Sequence, residues 1–313
     1  MSSAQLPTVA FIGTGVMGAP MAGHLMDAGY PLVVFSRTKA RSEALIERGA
    51  LWAESAGEAA SQADVVITMV GYPADVEEVY LGERGIIEMA RDGAVVVDMT
   101  TSSPELAMRV AEAAEWAELA VLDAPVSGGD TGAKNATLTI MVGGDEATFA
   151  RVEPIFRVMG ASVVLQGGPG SGQHTKMANQ IAIAGSMLAT VESIAYAQRA
   201  GLDPRRVLGS ITAGSAASWS LANLAPRILD GDFAPGFFVK HFVKDMRIAV
   251  ASAEAMGLDL PGLATAKRLY EYLEANAGAN LGTQALWLLY ADESARVAAG
   301  VAATATTRAA SEA

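Results

Sequence analysis

The chain contains no cysteine in its 313 residues. No disulfide can brace it and no thiolate can hold a metal, which fits a reducing, cytoplasmic setting. Histidine is nearly as scarce. The three present, His24, His174 and His241, give no basis for a zinc dehydrogenase site, and no bound metal is expected. Basic residues are outnumbered 22 to 34, leaving a formal net charge of -12. That acidic balance argues against nucleic acid or an anionic membrane surface as partner. Uninterrupted apolar runs are missing too: none reaches the ~20 residues of a membrane span without glycine, proline or polar breaks. The opening MSSAQLPT has neither a basic stretch nor an apolar one, so no secretory signal is expected.

What is plentiful is aliphatic: 51% of residues are hydrophobic, enough for a large core, and the length suggests two domains. Up to Gln166, short β-branched runs (TVAFI, PLVVF, DVVITMV, GAVVVDM, AVLDA, TLTIMV, SVVLQ) alternate with helix-like segments such as 16–28, 40–48, 74–80 and 104–114. Such alternation predicts βαβ units around a mainly parallel sheet. After Gln166 the strand-like runs stop. GGPGSGQ reads as a flexible joint, and a proline-free Ala/Met/Ile/Leu-rich stretch from Gln173 to about Ala200 reads as one long helix. The expected fold class is α/β: an N-terminal doubly wound, Rossmann-type domain over 1–166, then an all-α domain over 167–300 with a long interdomain helix. The Ala/Thr-rich end, 301–313, is expected to be a loosely held tail.

Four places in this layout carry chemistry. The first, TVAFIGTGVMG, places Gly13, Gly15 and Gly18 in G-x-G-x-x-G spacing, with Val16 and Met17 between the last two, where a first strand meets a first helix. In that position the glycines serve a tight turn, close approach of a pyrophosphate, and helix–strand packing. The second strand then ends in Ser36, Arg37 and Thr38, where an NAD site would usually place an acid. Two hydroxyls and a guanidinium suit a 2'-phosphate, so NADP is the expected cofactor, with NAD possible.

The second place is Ser127-Gly128-Gly129, where two glycines after a serine can aim backbone N–H groups at a carboxylate. Third, Lys176, Asn179 and Gln180 fall on one stripe of an otherwise apolar helix. Fourth, Lys244 and Asp245 lie in a helical stretch downstream of Phe237 and Phe238. Adjacent helical side chains point apart, so each is expected to have another partner.

Taken in order, the blocks FIGTGVMGAPMAGHL, DAPVSGG…GAKNATLTIMVGG, GSGQHTKMANQ and FVKDMRIA resemble the β-hydroxyacid dehydrogenase family, which includes 3-hydroxyisobutyrate dehydrogenases and tartronate, glyoxylate and succinic semialdehyde reductases. The resemblance spans residues 11 to about 250. It implies that Lys176 is the catalytic general acid/base and that Ser127, Gly128 and Gly129 bind the substrate carboxylate. It further implies that Asn179, Gln180, Phe237 and Asp245 are substrate-side residues, and that Met69, Val70, Thr101 and Lys244 lie along the cofactor. The implied reaction is reversible hydride transfer between NADP(H) and a small carboxylate-bearing aldehyde or hydroxyacid, in a homodimer or homotetramer formed through the helical domain. His24 departs from the usual asparagine, Ala136 from a frequent glycine, and Gln180 from asparagine. Two alternatives remain open at this stage: an imine reductase-like enzyme, disfavoured by the lysine at 176, and a noncatalytic NADP-binding sensor. No tyrosine is followed four residues later by lysine, so a short-chain dehydrogenase arrangement is not present.

Overall fold

The computed structural model describes residues 6–291. The expected tail over 301–313 lies outside the described residues. Nine strands form one sheet: β1 (Val9–Ile12), β2 (Leu32–Phe35), β3 (Leu51–Trp52), β4 (Val65–Thr68), β5 (Val95–Asp98), β6 (Ala120–Asp123), β7 (Val126–Ser127), β8 (Leu138–Gly144) and β9 (Gly160–Gly167). Their spatial order is β3-β2-β1-β4-β5-β6-β8-β7, with β9 also paired to β8. The pairs from β3 through β2, β1, β4 and β5 to β6 are parallel, whereas β8 is antiparallel to both β6 and β7 and parallel to β9. The order reverses at β1, with β2 on one side and β4 on the other, as doubly wound sheets do.

The short strands read as continuous apolar runs because both faces are covered. Val9 and Phe11 of β1 join Leu32, Val34, Val65, Ile67, Val95 and Val97 in one cluster, closed by Met21 and Leu25 of the Gly18–Asp27 helix and by Phe156 of the Glu146–Met159 helix. Ala10 and Ile12 point the other way, with Val33, Val66 and Val96, onto Tyr80, Leu106 and Val110. The period-2 alternation of a strand thus feeds two helical layers. Each fully buried Val, Ile or Phe stabilises the unit by roughly 1.5–3 kcal/mol.

The chain divides into two compact units at Lys176 and Met177, inside a single helix, Ser171–Arg199. In the second unit, Met177, Met187, Val191 and Ile194 of that helix pack with Phe242, Met246 and Tyr270 in a core built from helices alone. The predicted long helix is present, but it begins at Ser171, so the last three residues of GGPGSGQ are its first turn. Gly170 N–H and Gln173 N–H donate to the two carboxylate oxygens of Asp123, each at 2.8 Å, which fixes the first helical turn to the end of β6.

A second correction concerns 40–48. It is not one helix but a 3-10 turn, Lys39–Arg41, followed by a short helix, Glu43–Glu47. Ser42 breaks the run: its hydroxyl is buried and lies 2.7 Å from Thr14 Oγ1, in the glycine turn. Ala136, the departure from a frequent glycine, has φ +54, the left-handed conformation that glycine adopts without steric cost.

Candidate active site

The three glycines of the first turn are there for different reasons. Gly13 has φ +97, and a Cβ on it would strike the Met69 carbonyl. A Cβ on Gly18 would be driven into the Gly13 carbonyl and would stand 3.0 Å from the Phe11 ring. Nothing in the protein lies within 4 Å of a Cβ added to Gly15, and its φ is not in the left-handed range. The chain itself gives no reason for glycine at 15. A phosphate seated over the start of the Gly18–Asp27 helix does give one, so the turn fits a dinucleotide. Val16 is exposed at the tip of this turn, and Met17 packs back on the core.

The other cofactor candidates follow along the carboxyl ends of the strands. Met69 and Val70, after β4, abut Gly13, and Val70 N–H donates to Thr100 Oγ1 at 3.0 Å. Thr101 comes next after β5, half-buried. At the end of β2, Ser36 is buried while Arg37 and Thr38 are exposed. Arg37 is not a lone charge: its Nη1 lies 2.8 Å from Asp75 Oδ1, and Asp75 Oδ2 accepts Tyr72 N–H. Asp75 stands at the start of the Pro73–Leu81 helix, a long-range partner for Arg37 that residue spacing cannot show.

Two residues without an assigned role in the sequence hold this edge together. Gln173 is fully buried; its Nε2 donates to Thr100 O at 2.8 Å and its Oε1 accepts Ser102 N–H at 3.0 Å. The carboxamide therefore brackets Thr101. Asp123 receives the two amides of the helix start. The signals were a polar residue three positions before Lys176 on an apolar helix and an acid ending a strand. A second buried acid, Asp98, accepts from Thr68 Oγ1 at 2.8 Å and from Thr100 N–H at 3.0 Å. Burial, against those hydrogen bonds and with a smaller push from the Asp123 charge, raises its carboxyl from 3.8 to about 6.

Ser127 closes β7, half-buried, and Gly128 and Gly129 turn the chain into the Gly129–Lys134 helix with φ of +131 and +61. Side chains at either position would strain the loop. His24 steadies the far end of that helix, its Nε2 lying 3.0 Å from both the Ala133 and Lys134 carbonyls. Lys176 is 5% exposed, one turn beyond the residues that Asp123 fixes.

In the helical unit a polar chain runs through an apolar core. Asn179 Nδ2 donates to Gln180 Oε1 at 2.7 Å, and Gln180 Nε2 donates to Asp245 Oδ2 at 2.6 Å. Lys244 and Asp245 do not point apart as expected: Lys244 Nζ lies 3.1 Å from Asp245 Oδ1. Asp245 is buried and Lys244 half-buried, and the flexible lysine stem folds back towards a carboxylate that is 2% exposed. Phe237 stacks obliquely on Phe242, ring centres 5.5 Å apart, as part of the same core's edge.

Comparison with known proteins fits this geometry. Residues 8–168 match the NAD binding domain of 6-phosphogluconate dehydrogenase, and residues 170–290 match the NAD-binding domain of NADP-dependent 3-hydroxyisobutyrate dehydrogenase. Fold and turn thus define an NAD(P)-binding oxidoreductase. More narrowly, the chain belongs to the 3-hydroxyisobutyrate dehydrogenase, or β-hydroxyacid dehydrogenase, family. It is 56% identical over 283 residues to the uncharacterized oxidoreductase YkwC of Bacillus subtilis, covering 90% of this chain and 98% of that one. It is 41% identical to the 2-hydroxy-3-oxopropionate reductase of Escherichia coli, covering 88% and 94%. Among solved structures, Mycobacterium tuberculosis 3-hydroxyisobutyrate dehydrogenase with L-serine superposes with a TM-score of 0.85 at 32% identity, covering 90% of this chain and 98% of that one.

Two outcomes follow. Gly15→Ala should fold with the parent melting temperature yet bind NADPH at least ~10-fold more weakly, because the methyl group fills space the protein leaves open. Gly18→Ala should instead lose at least about 2 kcal/mol of stability, as overpacked sites do. Denaturant unfolding and fluorescence titration on both variants separate the two roles.

The second concerns pH. Asp98 titrates higher folded than unfolded, so its contribution is full below about 3.8 and is lost as pH rises through about 6. The whole span is worth roughly 3 kcal/mol. Asp98→Asn keeps an acceptor at Oδ1 and cannot ionise. Between about pH 5 and about pH 7.5 the parent should lose roughly 1.5 kcal/mol that the variant keeps, read as the difference between their unfolding curves.

Proposed function

We propose that this chain reversibly reduces a small carboxylate-bearing aldehyde to its hydroxyacid, preferring NADP(H), with Lys176 as the proton-transfer group. The observation that carries this reading is a lysine 5% exposed, three residues beyond a helix turn bonded to the carboxyl edge of the nucleotide-type sheet. When bound, the nicotinamide supplies or accepts the hydride at the substrate carbon.

The chain's own residues then have separable tasks. In the reductive direction, negative charge develops on the carbonyl oxygen; the Lys176 ammonium stabilises it and gives it a proton. In the oxidative direction, the neutral amine takes the alcohol proton. The glycine turn at Ser127–Gly129 offers N–H groups and a hydroxyl to the substrate carboxylate, which orients the aldehyde at the other end of a short molecule. Glyoxylate and the succinic, tartronate and methylmalonate semialdehydes all meet that description. The 2-hydroxy-3-oxopropionate reductase relative in E. coli and the L-serine in the M. tuberculosis structure support a short carboxylate substrate.

The NADP preference rests on Ser36, Arg37 and Thr38. Arg37 can turn its exposed guanidinium fork to a 2'-phosphate, while Asp75 offers a carboxylate to one of its nitrogens. The affinity for NADPH should exceed that for NADH, and Arg37→Asp should weaken NADPH binding at least ~10-fold while leaving NADH within a few-fold. Better use of NADH by the parent protein would reject this part.

Lys176→Ala should lower turnover of the aldehyde panel at least ~10²-fold, the scale of one acid/base group, with NADPH affinity nearly unchanged. Lys176→Arg should rescue incompletely, because arginine keeps the charge and cannot release its proton near neutrality. A noncatalytic sensor would bind NADPH and show no turnover of the panel even in the parent protein. Steady-state kinetics, NADPH titration and melting on one preparation decide the matter.

A further inference from the structure

We propose that Gln173 is a positioning residue that sets the distance between Lys176 and the Thr101 segment, with Asp123 holding the helix turn from which it acts. The proposal rests on the reading of Lys176 as the proton-transfer group and adds what keeps that group in place.

The geometry is specific. Thr100 and Ser102 flank Thr101, and neither of the backbone groups bonded here belongs to a strand ladder: Thr100 O accepts from Gln173 Nε2 at 2.8 Å, and Ser102 N–H donates to Gln173 Oε1 at 3.0 Å. One planar carboxamide thus satisfies one acceptor and one donor on either side of a single residue, and flipping it would break both bonds. Gln173 and Lys176 are three residues apart on the helix, so they lie close to one face, about one turn apart.

The turn itself cannot slide. Asp123 Oδ1 accepts Gly170 N–H and Oδ2 accepts Gln173 N–H, each at 2.8 Å. A Cβ on Gly172 would stand 2.5 Å from both the Asp123 and Met141 carbonyls, and one on Gly143 would collide with Asp123 Oδ1. Glycines at those two positions let the helix turn and the strand approach until the carboxylate reaches both amides. The result is a continuous path of hydrogen bonds and covalent geometry from the Thr101 segment, through Gln173, to Lys176. Proton transfer to the oxygen of a carbonyl whose carbon receives hydride tolerates little error: misplacement by about 1 Å can cost on the order of 10²-fold in rate.

Two variants test this beside the parent and Lys176→Ala, with kcat expressed per NADPH-binding site. Gln173→Met keeps length and loses both bonds. Its kcat should fall ~10- to 100-fold, while KM for aldehyde and NADPH affinity stay within about 3-fold. Gln173→Glu supplies the acceptor but, when ionised, no donor for Thr100 O. Once protonated it has one donor and one acceptor, as glutamine does. Asp123 accepts the N–H of this residue, Asp98 accepts the N–H of Thr100, and Lys176 follows on the same helix; burial and the two acids favour the protonated form, against the Lys176 charge. The ratio of Gln173→Glu kcat to parent kcat should therefore rise at least ~5-fold on going from about pH 8.5 to about pH 6.

A glutamine that merely stabilises the fold would lower melting temperature and the number of NADPH-binding sites, and leave kcat per site unchanged. A Gln173→Met variant within about 3-fold of parent kcat, or a flat Gln173→Glu ratio across pH, overturns the positioning role. If Gln173→Met does not fold, the pH series alone decides. Full turnover in Lys176→Ala overturns the underlying reading and the positioning role with it, an outcome distinct from failure at Gln173 alone.

Discussion

The structure depends most on one buried carboxylate. Asp123 ends a parallel strand and spends both oxygens on amides of the first turn of the longest helix in the described chain. Burial penalises its ionised form and pushes its carboxyl up, while the amides of the helix start push it back down. A negative charge at the positive end of a helix, with two N–H groups aligned on it, is among the few places where a buried acid is well compensated. Without this anchor, Gly170 and Gln173 would each have a buried amide to satisfy, and the turn preceding Lys176 would have no fixed register.

Glycine placement follows from that requirement as much as from cofactor binding. Gly143 and Gly172 yield their side-chain volume to Asp123 and the neighbouring carbonyls, whereas Gly13 yields its own to Met69, and Gly18 to Gly13 and Phe11. Only Gly15, of the three in the first turn, yields space that the chain does not use. The same residue type thus marks internal close packing in four positions and room for a ligand in one, a difference visible only when the neighbours of each absent Cβ are known.

Much of the fold was legible in the sequence because it is written locally. Runs such as VAFI and LVVF are short, β-branched and apolar on both faces, and the long helix lacks proline over its whole length. The two-residue strands β3 and β7 are too short to leave a pattern. What escaped the sequence depends on distant partners: Gln173 bonds to residues 71 and 73 positions away, and Asp75 meets Arg37 only after the sheet has formed. Lys244 and Asp245 show the opposite failure. Their spacing says apart, but burial makes an unpaired charge costlier than a bent lysine stem. Lys176, Ser127 and the first-turn glycines were legible as candidates because each breaks the local pattern it sits in.

Asp98 carries a consequence for calorimetry. Near pH 5 its carboxyl is mostly protonated in the folded chain and mostly ionised in the unfolded one. Unfolding there releases close to one proton from this site, and the buffer takes it up. The measured heat of unfolding therefore includes the buffer's own heat of protonation, and acetate and an amine buffer at the same pH will report different enthalpies for the same transition. The hydroxyl of Thr68 and the amide of Thr100, which limit how far burial can raise that carboxyl, thereby set the pH range over which the molecule exchanges protons with its solvent as it folds.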